Sequence, residues 1–170
     1  MRPIFGKAIA TLLFFSILFI SVGYGLKNAE AGYAPIQPIA FSHRIHTGEN
    51  KIPCLYCHVY ARKSTIAGVP SVQRCMGCHK IIGSDRPEVR KITEYFEGKK
   101  PIPWVRVYRL QDFVYFSHKR HVLKEVACQE CHGPIETMDR VERYSSLDMG
   151  WCLTCHKKRE VDMDCLVCHK

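Results

Sequence analysis

Outside one repeated motif, this 170-residue chain contains no cysteine. That absence excludes a structural disulfide, a zinc–thiolate cluster and a free catalytic thiol, since each needs a cysteine of its own. Histidine is just as tightly used: nine are present, and all fall either in the motif or in two short pairs. Acidic residues are few, 16 against 25 lysines and arginines, giving a formal charge of +9. No signature of a substrate pocket is present. The chain is short as well: with the apolar N-terminus set aside, about 140 residues remain, too few for a large side-chain core.

What is present is C-x-x-C-H, five times over: Cys54-Cys57-His58, Cys75-Cys78-His79, Cys128-Cys131-His132, Cys152-Cys155-His156 and Cys165-Cys168-His169. Two thiols three residues apart can each form a thioether to one vinyl group of the same porphyrin. The histidine that follows then reaches the iron from one face. This is the c-type haem attachment signature. One copy alone would also suit a zinc ribbon or a redox dithiol, but five copies with no cysteine left over point to five covalently bound haem c groups. The porphyrins must then serve as the core. The expected fold is mostly irregular with short α-helices wrapped around haems, preceded by one N-terminal transmembrane helix.

Haem also accounts for the charge. Without Arg2 and Lys7, residues 27–170 carry +7. Ten propionates add about −10 and five ferric porphyrin cores about +5, which leaves a balance of about +2. Many of the cations are then propionate partners, and nucleic acid is not an expected partner.

Residues 1–31 read as a membrane anchor or signal segment. Arg2 and Lys7 are followed by an uncharged run of 19 residues from Ala8 to Leu26. As a helix this run spans about 28 Å, close to the bilayer core of about 30 Å, and the two cations keep the N-terminus in the cytoplasm. The length favours an uncleaved anchor, although Ala29-Glu30-Ala31 resembles a cleavage site. Either way the haem domain is exported. It would lie on the periplasmic or external side of the inner (cytoplasmic) membrane, where c-type haems are attached.

After a linker containing Pro35 and Pro38 comes an internal repeat. Phe41-Ser42-His43-Arg44-Ile45-His46 precedes the first haem motif by seven residues, and Phe116-Ser117-His118-Lys119-Arg120-His121 precedes the third by six. The chain therefore divides into a first lobe of two haems (32–80), a haem-free connector (81–113) and a second lobe of three haems (114–170). Within the connector, Asp85 to Glu97 has the period of a helix. Ser84 or Asp85 is placed to cap it, Pro87 suits its first turn and Gly98 its end. Val89, Ile92 and Phe96 share one face. Trp104 to Leu110 alternates like a short strand, its aromatics suited to packing on haem faces.

Five irons have ten axial positions. The motif histidines His58, His79, His132, His156 and His169 fill five. His43, His46, His118 and His121 remain, in two pairs with i, i+3 spacing, which on a helix lets two imidazoles leave one face toward neighbouring irons. One position is still open, and methionine is the next soft donor. Met1 is cytoplasmic, Met76 lies inside a haem motif and Met163 just before one. Of the remaining Met138 and Met149, Met149 is the candidate: it stands in Leu147-Asp148-Met149-Gly150-Trp151, where glycine eases close backbone approach. The alternative is a methionine packed on a porphyrin edge.

Residues 114–170 resemble the small three-haem members of the class III cytochrome c family, which share the F-x-H-x-x-H start, three C-x-x-C-H motifs and similar spacers. That resemblance implies that His118 serves the haem of His132 and that His121 reaches the haem of His156. The family has a further histidine shortly before its second motif, which binds the last haem. Met149 stands there, offset by one residue, and is carried over to the haem of His169. In the first lobe His43 would pair with His58, and His46 with His79. A wider resemblance rests on five haems, an N-terminal helix, Ile102-Pro103-Trp104-Val105, Asp112-Phe113-Val114-Tyr115-Phe116 and Met149-Gly150-Trp151-Cys152. These are similar to the pentahaem subunit of alternative complex III, a membrane-bound quinol oxidoreductase. It implies a non-catalytic relay subunit whose partners are iron–sulfur and membrane subunits and a downstream cytochrome or oxidase acceptor. Two other readings stay open at this point: a stand-alone membrane-anchored quinol dehydrogenase, and a terminal multihaem reductase, which would need one iron open to substrate.

Overall fold

Pro35 and Pro38 keep the chain extended as it enters the domain, and regular structure begins only at the first F-S-H-x-x-H repeat. The computed structural model describes residues 32–169 together with Leu12, Leu13, Phe15 and Ser16. The expected N-terminal transmembrane helix falls almost wholly outside the described residues. Among those described, no helix is long and apolar enough to cross a membrane.

The described chain is irregular and helical, without a strand. Each haem motif forms or ends a short helix: α2 (Cys54–Cys57), α3 (Val72–His79), α6 (Cys128–His132), α7 (Met149–Lys158) and α8 (Cys165–Cys168). One helical turn sets the two cysteines of a motif on a single face. Aspartates start the last two helices: the Asp148 carboxylate accepts from Trp151 N at 2.7 Å, and that of Asp164 from Leu166 N at 2.8 Å. The histidine pairs lie on α1, a π-helical turn (Arg44–Glu49) entered from His43, and on α5 (His118–Leu123).

The connector helix α4 (Pro87–Glu97) starts two residues later than its sequence period suggests, and neither Ser84 nor Asp85 caps it. Arg86 holds the N-cap position in extended geometry, and Pro87, whose ring fixes φ, starts the helix. Gly98 caps the end of the helix as expected. It stays right-handed at φ −71°, and the left-handed turn passes to Lys99 at φ 50°. The apolar face is as expected: Val89 and Ile92 are buried, and Ile92 joins Ile39, Val72, Met76 and Ile102 in one small cluster, with Phe96 and Trp104 against it.

The expected strand at Trp104–Leu110 is instead extended chain without a ladder. Its backbone groups are met by side chains. The Gln37 amide donates to Val105 O and accepts from Val105 N, both at 2.9 Å, and the Arg143 guanidinium donates to Val107 O at 3.1 and 2.9 Å. Alternation marks an extended segment with one covered side; a strand also needs a second backbone beside it.

Two joints stand out among the contacts between residues 32–80 and 114–169. At one, Ser42 Oγ donates to the Asp139 carboxylate at 2.6 Å, Arg44 pairs with the same group at 3.1 Å, and Arg44 N reaches Met138 O at 3.0 Å. Gly48 lies so close to the Glu136 carbonyl that a Cβ there would fall well inside contact distance. At the other joint, Thr65 O accepts from His118 N at 3.1 Å and Ser64 O from Lys119 N at 3.0 Å.

Candidate functional site

The F-S-H-x-x-H repeat is a device for aiming two imidazoles. In the first copy the Phe41 ring meets His43 edge-on at 4.9 Å and stacks on His46 at 4.3 Å. In the second, Phe116 meets His118 edge-on at 4.8 Å and lies over His121 at 4.5 Å. The serine supplies its carbonyl: Ser42 O is 2.8 Å from His46 Nδ1, and Ser117 O is 2.9 Å from His121 Nδ1. Sequence reasoning found the histidines and missed the phenylalanine's task, although its recurrence in both repeats was visible.

The same arrangement extends beyond the repeats. Nδ1 of His58 faces Gly68 O, that of His79 faces Ile82 O, and His118 faces Thr65 O. His156 faces Asp162 O, and His169 faces Phe113 O. With His46 and His121, seven of the nine histidines have Nδ1 within 2.6–3.3 Å of a backbone carbonyl. A carbonyl can only accept, so Nδ1 carries the proton and Nε2 keeps its lone pair for a metal. No sequence pattern announces these acceptors, because they are backbone atoms. His43 differs from the seven: its Nδ1 is buried without a hydrogen-bond partner.

Motif and repeat histidines then meet. The rings of His118 and His132 are parallel within 7° with centroids 6.4 Å apart; His121 and His156 are 6.1 Å apart, and His46 and His79 5.9 Å. A metal held between two imidazoles at about 2 Å from each nitrogen sets the ring centroids about 6 Å apart. The three pairs therefore fit one iron each. His43 lies in the electrostatic reach of His58, and of His132 as well. Burial first, then neighbouring imidazoles, pushes His43 and His132 down to about 4, so both are neutral near pH 7, the form that can bind a metal.

The cysteines suit a porphyrin edge. Burial raises the thiols of Cys57, Cys75, Cys128 and Cys152, and pushes Cys131 up to about 11, so these sulfurs are uncharged in apolar surroundings. A cavity of about 550 Å3 opens beside His79, lined in part by Met76, Phe96 and the cations Lys80 and Arg90. A smaller one of about 290 Å3 lies beside Cys57, with Val69 and Arg74. Both linings mix apolar side chains with cations, as a porphyrin with propionates requires, and the larger also carries the carboxylates of Glu94 and Glu97.

The fifth motif is assembled differently. No repeat histidine remains for it, and the His169 ring contacts Phe113 at 5.7 Å. Met149 opens α7, 61% exposed, one turn before Cys152 and on the same side of the helix. Cys152 in turn lies within electrostatic reach of Cys168. Met76 and Met138, by contrast, are buried at 4% and 8% exposure.

Residues 114–170 match the family model described as cytochrome c7 and related cytochrome c. Over nearly its whole length the chain is similar to the multihaem cytochrome c subunit of menaquinone reductase from Nitratidesulfovibrio vulgaris. The two are 29% identical over 198 residues, spanning 99% of this chain and 89% of that protein.

Proposed function

We propose that this multihaem c-type cytochrome carries five covalent haems and relays electrons through them as one subunit of a membrane-bound, quinone-linked oxidoreductase. The observation that carries the relay is the facing of motif and repeat histidines at iron-sandwich spacing in three separate places. An iron closed on both faces has no position for a substrate, so it exchanges electrons and does no bond chemistry. The ligand sets in this reading are His43 with His58, His46 with His79, His118 with His132, His121 with His156, and Met149 with His169. Similarity along the full chain to a menaquinone reductase subunit supports the quinone-linked setting. The partners are membrane and iron–sulfur subunits on one side and a cytochrome or oxidase acceptor on the other. Residues 1–31 hold the subunit to the inner membrane with its haems on the outer side.

Haem attachment is tested by mass. The intact protein should exceed its polypeptide mass by five haems, and acid–acetone should extract none of them. An increment of four or fewer would remove one of the ligand sets above.

The relay is tested by separating the subunit from its partners. From membranes the chain should copurify with membrane and iron–sulfur subunits. Purified alone, it should exchange electrons with dyes yet sustain no quinol oxidation. Steady quinol oxidation by the isolated chain would make it a quinol dehydrogenase in its own right.

A further inference from the structure

We infer that the haems are wired out of sequence order, as 2–1–3–4–5, with haem 1 meeting haem 3 where the two repeats join. Haems are numbered here by motif, and the inference rests on the five-haem relay proposed above.

Electrostatic proximity between motifs gives the order. Motifs 1 and 2 adjoin: Cys57 has Cys78 as a neighbour, and Cys75 has Cys57. Motifs 1 and 3 adjoin through the Cys54 thiol, which is within hydrogen-bonding reach of Cys128, and through His58, which neighbours His132. Motifs 3 and 4 adjoin through Cys131, which neighbours both Cys152 and Cys155. Motifs 4 and 5 adjoin through Cys152 and Cys168. Every cross-half contact among these belongs to motifs 1 and 3.

The junction has a symmetry that the repeat explains. Cys54 and Cys128 are the first cysteines of the first motif in each repeat, and His58 and His132 are the matching histidines. Equivalent residues set near each other are the mark of a two-fold, self-complementary arrangement. Each repeat therefore places its first haem at the joint and its second outward. The histidine pairs agree with this: His43 and His46 leave one short element for motifs 1 and 2, while His118 and His121 do so for motifs 3 and 4. The joint is braced at haem 3 by Thr65 of the first half, whose carbonyl faces His118 Nδ1 at 2.9 Å. Haems 2 and 5 then have one neighbour each and form the two ends of the wire.

The iron positions in the haem-loaded chain, alone or within its complex, test this. The shortest iron–iron distance between the halves should be that of haems 1 and 3. If haem 2 lies closer than haem 1 to any second-half iron, the order is wrong. Cys54→Ala/Cys57→Ala, which removes haem 1, gives a second readout. In the fully oxidised variant, electron paramagnetic resonance should show altered signals from two remaining haems, 2 and 3. Alteration of one signal would restore the sequential order, in which haem 1 is an end, and alteration of none would overturn the proposed order as well. Should that variant not fold, His43→Met keeps the haem and raises its potential, and a redox titration should then show two neighbours shifted; one or none overturns the order. A haem count other than five, or a failure to copurify with partners, would instead strike the relay reading and leave the iron map as a separate result.

Discussion

Met149→His is expected to lower the midpoint potential of one haem by on the order of 100 mV, a modest part of the range of about 0.8 V that axial ligands command. The other four potentials should stay nearly unchanged. The expectation follows from donor chemistry. A thioether is a weaker donor than imidazole and favours ferrous iron, so a Met/His haem sits above bis-histidine haems. In the proposed ligand sets four repeat histidines serve four motifs, and Met149 stands one turn before Cys152, whose thiol lies within electrostatic reach of Cys168 in the fifth. The wild-type protein should show a methionine–iron charge-transfer band in near-infrared magnetic circular dichroism, and Met149→His should abolish it. Met149→Ala should leave one iron able to bind carbon monoxide. Absence of that band from the wild type would remove Met149 from the iron. An iron already open to carbon monoxide there would revive the terminal-reductase reading.

Gly48→Val should cost about 1–3 kcal/mol, the usual range for forcing extra carbon into a filled site, and lower the melting temperature by several degrees. Gly48 sits in α1, the turn that carries His46, and the Glu136 carbonyl occupies the space a Cβ would need. Backbone is a hard obstacle; it cannot swing aside as the end of a long side chain can. The valine would push α1 away from the Ile135–Thr137 turn and strain the bonds of Ser42 and Arg44 to Asp139. Thermal unfolding followed in the Soret band measures the effect. An unchanged transition would mean that α1 does not approach Glu136 in the haem-loaded protein.

How far the sequence discloses this molecule depends on which atoms hold it together. Covalent haem chemistry fixes two cysteines and a histidine at set spacing, so the motifs are plain. Counting histidines then singles out His43, His46, His118 and His121, and the fold brings three of these against motif histidines. Helix α4 is legible from Val89, Ile92 and Pro87 because its period and its first-turn proline are side-chain properties. Its cap is not, because Arg86 acts there through backbone geometry alone. The extended segment from Trp104 reads as a strand because alternation records one covered side; that Gln37 and Arg143 take the place of a neighbouring strand depends on residues far away in sequence. The carbonyls of Gly68, Thr65 and Phe113 leave no trace in sequence at all, since any residue would offer the same atom.

The joint around Asp139 orders the protein in time as well as in space. Ser42 and Arg44 lie 97 and 95 residues before their partner. If the chain is exported from its N-terminus, as proposed, it presents Cys54–His58 and Cys75–His79 long before residues 136–143 exist to close over α1. Contacts of such long range form late, and the segments waiting for them stay exposed in the meantime. Haem attachment to the first half therefore meets an open polypeptide, whereas attachment at the last motif meets a nearly finished one. On the proposed reading, biogenesis runs from an unlidded haem pair toward a closed molecule, and the arrival of Asp139 is the step that closes the first half.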